Sequence, residues 1–514
     1  MALVDTRGAD HRAANGFKRA AAQSAENGGT VAMSHHLILG GGPAGINAIE
    51  TIRYFDADAT ITLVCDEPPY ARMALPYFLA KEIPQGHLTT GSEEYFDRLH
   101  VERRFGCRAR RIDATGRTVH LDDGTAIPFD TLLIATGSSP TQPPIPGANG
   151  KHVHNLWTLG DAAAVMGSAR TKRPSVVLVG AGFIGLIILN SLHKLGWKLA
   201  VVELEGQILP RMLDRRSAEA AEAWLRERGV DVYTGCSVRA IAGTRKKTVA
   251  LSDGQQLRAD VVILSTGIRP NLAFVDGSGV RVETGIIVDA RMQTNVPDTY
   301  AAGDVAQGPN LLGGPPVIHA IQPTAVDHGR IAGANMAGQP RVYAGSLAMN
   351  ILDVAGLHCA SFGHWQESDD VTVVWNAGRP VYRKFVWDDT RLVGGIILGP
   401  VDDTTMLADV GMLKGLIQTQ VDLAQWKHYL HERPWDLRRV YVASGAGTTL
   451  LPRKTIGVPS AARGFRFKNL GPRTDAGPHH ATFVGTRPAN FDALPRTPTP
   501  GIYKAPATRQ EPKQ

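Results

Sequence analysis

The chain has 514 residues, 43% of them apolar and 20% charged, which suits about three globular domains and excludes a disordered protein. Its net charge is +7, but residues 448–514 hold eleven Lys and Arg against three acids. The remainder is therefore near neutral, and a basic nucleic-acid groove in the folded body is not implied. No run reaches the roughly 18 consecutive apolar residues of a membrane span. Cys65, Cys107, Cys236 and Cys359 lie far apart with no CxxC spacing. That pattern argues against a disulfide framework or a zinc site and predicts a cytoplasmic protein.

Residues 1–33 lack hydrophobic periodicity and have no apolar signal core, so they read as a disordered extension. Met33 is a second candidate start. From residue 34 the pattern is strand, Gly-rich turn, helix, strand. Residues 36–45 read HLILGGGPAG, and Ile61–Cys65 is followed by Asp66 and Glu67. Glycine allows the tight turn and close backbone approach, and a helix N-terminus attracts a pyrophosphate. An acid about 20 residues on bonds the adenosine ribose, a spacing that Asp66 or Glu67 meets. Short strands then lead to Thr136-Gly137.

A second copy, VVLVGAGFIG, spans residues 176–185 and ends its unit at Glu203. A strand closing on Thr266-Gly267 follows, with Arg269-Pro270-Asn271 just beyond. Thr299–Asp304 ends in Gly303-Asp304. Two dinucleotide turns about 140 residues apart imply electron passage between two cofactors.

This order of motifs resembles the pyridine nucleotide–disulfide oxidoreductases, over residues 34–340. The resemblance implies an α/β fold of two nested Rossmann-like dinucleotide-binding domains plus a C-terminal α+β domain. The expected division is FAD-binding at 34–150 and 275–340, NAD-binding at 151–274, and an interface domain at 341–447. A basic Pro/Gly-rich tail occupies 448–514.

The resemblance gives FAD to the first turn and NADH to the second. Gly40, Gly42, Pro43, Ala44 and Gly45 would cradle the FAD pyrophosphate. Asp66 or Glu67 would hold its ribose, Arg72 would lie near the flavin phosphate, and the backbone of Ala109 would meet the adenine. Thr136, Gly137 and Gly303 belong to the same site, with Asp304 on the ribityl and pyrophosphate groups. Gln322 and Thr324 open a helix that would face the flavin pyrimidine, or they merely cap it. Gly180, Gly182, Phe183, Ile184, Gly185 and Gly267 would serve NADH. Phe183 either packs near the nicotinamide or fills the helix–sheet interface. Glu203 would accept both ribose hydroxyls and repel a 2′-phosphate, and Leu204, Glu205 and Gly206 follow it without an arginine. NADH is therefore expected over NADPH.

Departures from the family pattern narrow the reading. Related peroxide and CoA-disulfide reductases carry a redox cysteine where this chain has Met73, in Met73-Ala74-Leu75-Pro76-Tyr77. A thioether forms no thiolate and no mixed disulfide. Other relatives pair a lysine at Tyr77 with a glutamate at Ile187, and here both charges are absent. Ile49 and Leu189 are bulkier than usual, which suggests helices set farther from the sheet. Tyr77, Gln322 and Thr324 are the side chains expected nearest the flavin, no residue is assigned as catalytic, and no metal is expected. His358 and Cys359 fall on one strand and face opposite sides.

The segment 341–447 resembles the C-terminal domain of nitrite-reductase-type and ferredoxin-reductase-type relatives, and a homodimer through it is expected. The chain should take hydride from NADH onto FAD and pass electrons to a separate redox protein such as a ferredoxin. The alternatives are reduction of a small acceptor (quinone, disulfide or oxygen) and an NADH-responsive scaffold.

Overall fold

The computed structural model describes residues 34–447 except Glu367 and Ala377, together with two short strands farther on. Those strands, Phe465–Phe467 and Phe483–Gly485, pair antiparallel with Phe465 opposite Gly485. The expected extension 1–33, the second start Met33, and most of the basic tail lie outside the described residues.

Of the elements that build the sheets around the site, the first in chain order are β1 (His35–Leu39), α1 (Pro43–Phe55), β2 (Thr60–Cys65), α2 (Leu75–Leu79), β3 (Val101–Phe105), β4 (Thr131–Ile134) and β5 (Ser138–Pro140). Next come β6 (Val153–Asn155), α3 (Leu159–Ser168), β7 (Ser175–Val179), α4 (Phe183–Lys194), β8 (Lys198–Val202), α5 (Arg215–Glu227), β9 (Asp231–Tyr233), β10 (Val261–Leu264) and β11 (Ile268–Pro270). Then follow β12 (Thr299–Ala301) and α6 (Gln322–Met336). The last part holds β13 (Met349–Val354), β14 (Leu357–Gly363), β15 (Val371–Asn376), β16 (Val381–Asp388), β17 (Arg391–Pro400), α7 (Thr404–Thr419), α8 (Lys427–Glu432) and α9 (Leu437–Ala443).

Two parallel sheets result. The first has the order β12-β4-β1-β2-β3 and the second β9-β8-β7-β10-β6. Strand β12 returns to the first sheet after the second is complete, so the second unit is inserted into the first. Parallel strands need crossovers and are covered on both faces, which is why β7 and β10 are almost wholly apolar. Helix α1 packs on α6, and both Ile49 and Leu189 are buried.

The third sheet is antiparallel, β13-β14-β17-β16-β15. Alternation along β14 sends Leu357 and Cys359 to one face and Ala360 and Phe362 to the other. The first face shares a continuous apolar core with α4, α5 and the second sheet. The second face is covered by α7, α8 and α9. Among the described residues no helix is long and apolar enough to cross a membrane.

One buried group sets an acid limit on the fold. His328 on α6 is 2% exposed, neither ring nitrogen has a partner, and its ring meets Tyr343 edge-on at 5.0 Å. Burial, aided by the charge of His319, lowers its pKa to about 4. The unfolded chain therefore binds this proton first, and stability falls as pH drops from about 6.5 toward 4. A loss of roughly 2 to 3 kcal/mol is expected from this group by pH 4.5. Thermal melts of the wild type and His328→Leu at pH 7 and 4.5 check it; equal acid sensitivity in the two would exclude His328 as the cause.

Candidate functional site

The first turn is built by strand–turn–helix geometry. Gly40 holds φ +108, and a Cβ there would lie 2.2 Å from the carbonyl oxygen of Ala135. A Cβ on Gly45 would lie 2.0 Å from the Gly40 oxygen. Only glycine permits both contacts, so β1, α1 and the segment after β4 converge here. Helix α1 begins at Gly42 with no side-chain cap and no acid in its first turn, and a Cβ on Gly42 would meet nothing within 4 Å. Unsatisfied N–H groups at an open helix start bind an anion.

Around this turn the structure gathers most of the residues expected for FAD. Gly303 sits against Ala44 and Ala325, so the segment after β12 meets α1 and α6. Asp304 Oδ2 accepts from the Ser138 hydroxyl at 2.8 Å. Desolvation by its surroundings raises the Asp304 pKa, opposed by the Ser138 bond and the charge of Arg72. Arg72 pairs with Glu67 at 2.6 Å and lies over the Trp157 ring. Glu67 also accepts from the Tyr70 hydroxyl at 3.1 Å, which itself accepts from the N–H of Leu159 at the start of α3. Asp66 pairs with Arg108 at 2.9 Å, bringing Ala109 to the same rim. Gln322 is exposed in the first turn of α6, whereas Thr324 is buried. Tyr77 on α2 is 53% exposed.

The second turn repeats the first. Gly180 holds φ +103 against Ser265, and a Cβ on Gly185 would lie 2.3 Å from the Gly180 oxygen. Helix α4 starts at Gly182, again without a side-chain cap or a first-turn acid. Phe183 and Ile184 pack partly buried against the core that also contains Leu79 of α2. Gly267 holds φ +109 just before β11. Glu203 follows β8 and is 8% exposed.

The two turns are held by one short ladder. Gly40 abuts Ala135 and Thr136, which lead into β5; Gly180 abuts Ser265 and Thr266, which lead into β11. Strands β5 and β11 pair antiparallel, with Pro270 opposite Ser138. Asn271 locks the ladder. Its side chain donates to Thr136 O at 2.9 Å and accepts from Ser139 at 2.8 Å. Its N–H donates to Gly137 O at 3.0 Å, and its carbonyl accepts from the Thr136 hydroxyl at 3.2 Å. The Trp157 indole donates to Ser138 O at 2.8 Å, beside the Asp304 bond. Asn271, Ser138 and Trp157 were not among the expected site residues. Asn271 does stand in the quoted Gly267–Asn271 motif, but Ser138 and Trp157 carry no sequence signal.

All four cysteines are free thiols. Burial pushes Cys65 up to about 12, with the charges of Asp66 and Glu67 adding to it. Complete burial raises Cys359, and desolvation plus a neighbouring carboxylate raises Cys107 and Cys236. None is primed as a thiolate.

Uncapped helix starts beside a desolvated carboxylate fit two dinucleotides, each with a pyrophosphate and hydroxyl groups to satisfy the acid. The family model for pyridine nucleotide-disulphide oxidoreductases matches residues 34–329. The chain is 34% identical over 333 residues to the NADH-dependent phenylglyoxylate dehydrogenase subunit epsilon of Aromatoleum evansii, covering 64% of this chain and 79% of that one. It is 33% identical over 314 residues to rhodocoxin reductase of Rhodococcus erythropolis, covering 60% and 73%. It spans 48% of the length of two Bacillus subtilis relatives, an assimilatory nitrate reductase electron transfer subunit and a nitrite reductase. A chain of the covalent putidaredoxin reductase–putidaredoxin complex shares the fold at TM-score 0.72 and 23% identity, with 80% of this chain and 99% of that one covered. FAD and NADH are the cofactors these relationships support. With two nested glycine turns, an intervening ladder and a family match over more than half its length, the chain belongs to the pyridine nucleotide-disulphide oxidoreductase family.

Proposed function

We propose that the chain carries electrons from NADH through FAD to a separate redox protein such as a ferredoxin. The observation that carries this reading is the ladder: both uncapped glycine turns lie at its ends, and no thiol lies in the 68–81 segment between them. Bound FAD would supply the conversion between a hydride pair and single electrons. In this reading residues 34–150 and 275–340 hold FAD, and residues 151–274 hold NADH. The α1 start binds the FAD pyrophosphate, Asp304 binds its hydroxyls, and Asp66 or Glu67 the adenosine ribose. Arg72 offsets phosphate charge while Glu67 and Trp157 orient it. The positive end of α6, at Gln322, faces the flavin pyrimidine. Met73 and Tyr77, both about half exposed, form an apolar lip that excludes water.

Names of relatives support the acceptor class, since rhodocoxin reductase and putidaredoxin reductase are named for protein acceptors. Free, poorly acidic thiols support a reducing, cytoplasmic setting. A homodimer through residues 341–447 belongs to the same reading, and sedimentation velocity showing only monomer would remove it.

The test is anaerobic mixing of the flavin-loaded protein with NADH, followed by added ferredoxin. Rapid flavin bleaching and reduction of the ferredoxin are expected. Transfer to quinones alone would favour a small acceptor, and a slow, persistent charge-transfer band with no onward transfer would favour the scaffold. Single Cys→Ala replacements at all four positions should leave turnover within about twofold; loss of activity in any one, with the fold intact, would put a sulfur relay back into the pathway.

A further inference from the structure

The two glycine turns can be superposed by register. Leu39 pairs with Val64 in the first and Val179 with Val202 in the second. Gly40 donates to Val64 O and Gly180 to Val202 O, each at 2.8 Å. The next residues, Cys65 and Glu203, therefore occupy equivalent places. Each lies against the second residue of its turn. The Cys65 sulfur sits beside Gly41, and the Ala181 N–H donates to Glu203 Oε2 at 2.6 Å.

Here the copies diverge. Cys65 offers one sulfur, and the acids Asp66 and Glu67 follow it as separate groups facing Arg108 and Arg72. Glu203 has a second oxygen, which accepts from the Glu205 N–H at 3.0 Å. The Leu209 N–H then returns to the Ala181 carbonyl at 2.9 Å. Leu209 is 1% exposed and holds φ +50, a conformation that leucine adopts only when its surroundings impose it. The Ala181 peptide is thus gripped on both sides, by a carboxylate on its N–H and by the 205–209 segment on its carbonyl.

We infer that Glu203 is a positioning residue for the second dinucleotide turn, holding Ala181 and the 205–209 segment in place before any nucleotide arrives. The inference rests on reading that turn as the NADH site. Two N–H donors on two separate oxygens require a carboxylate. A glutamine in the same place turns its own NH₂ toward one donor and breaks half of the clamp. A residue that met only ribose hydroxyls would tolerate glutamine, whose amide both donates and accepts. It follows that cofactor preference cannot be switched at Glu203 alone, because removing the carboxylate disorganises the turn that both NADH and NADPH must use.

The experiment uses the flavin-loaded protein without nicotinamide. Hydrogen exchange is followed by mass spectrometry over peptides covering 180–186 and 205–210 in wild type, Glu203→Gln and Glu203→Asp. Exchange in both peptides is expected to quicken at least about tenfold in both variants, since aspartate is one methylene too short to reach. The first turn, residues 37–46, serves as the internal control for folding and should be unchanged. Titration should show NADH and NADPH weakened by similar factors, about tenfold, in Glu203→Gln. Unchanged exchange in a folded variant overturns the inference, as does NADPH binding that tightens while NADH binding weakens. Failure of the wild type to bind NADH at all would instead strike the NADH assignment and leave the exchange result standing.

Discussion

Replacing Gly329 by alanine is expected to destabilise the protein by about 3 kcal/mol and to empty it of FAD. Gly329 lies in α6 where that helix crosses α1. A Cβ at this position would sit 2.1 Å from the carbonyl oxygen of Ala44 and 2.9 Å from its carbonyl carbon and Cα. One turn on, a Cβ at Gly333 would lie 2.7 Å from the Ala48 oxygen. These obstacles are backbone, which cannot rotate away, so α6 must retreat from α1. Both helix starts belong to the candidate FAD site, and their separation would spoil it. Differential scanning calorimetry should show a melting temperature lower by roughly 4 °C. Gly411→Ala in α7, where an added Cβ meets nothing within 4 Å, is the control and should be neutral or slightly stabilising. Equal melting temperatures for the two variants would mean that α1 and α6 are not packed as closely as described.

Asp304→Ala should weaken FAD binding by about 30- to 100-fold, the equivalent of about 2 to 3 kcal/mol of charge-assisted hydrogen bonding. The carboxylate is desolvated and answered within the protein by the Ser138 hydroxyl and the nearby charge of Arg72. That is thin support for a charge so placed, and in the proposed site cofactor hydroxyls would complete it. Removing it costs those bonds and leaves Ser138 beside the ladder without its acceptor. Equilibrium dialysis of apoprotein against FAD measures the change. Asp304→Asn should fall between wild type and alanine, because the amide keeps an acceptor but not the charge. Wild-type affinity in Asp304→Ala would remove this residue from the cofactor site.

The local half of the site was legible because its chemistry is local. A glycine turn between a β-branched strand and a helix specifies much of its geometry within ten residues: Gly45 and Gly185 are required by contacts inside their own turns, whereas Gly40 and Gly180 are required by Ala135 and Ser265, which follow the later strands β4 and β10. The strands of the third sheet also follow from alternation, which places Cys359 in the core and leaves His358 at its edge. Ser138 and Asp304, by contrast, meet across 166 residues, and Asn271 reaches Thr136 across 135. No periodicity records such pairs. Glu203 shows the same limit: its position at the end of a strand leads one to expect a ribose acid, but its backbone partners depend on how the 205–209 loop folds back.

From sequence alone came the two nucleotide turns and the methionine at position 73 where related reductases carry a redox cysteine, since each is a matter of residue type and short spacing. Tertiary structure decided the ladder joining the turns, the grip on Ala181 and the shared core between the second and third sheets. Those depend on chain closure across 22 residues at Ala181 and across more than a hundred at the ladder, where the winning contact is chosen by shape and by the need to satisfy buried polar groups rather than by pattern.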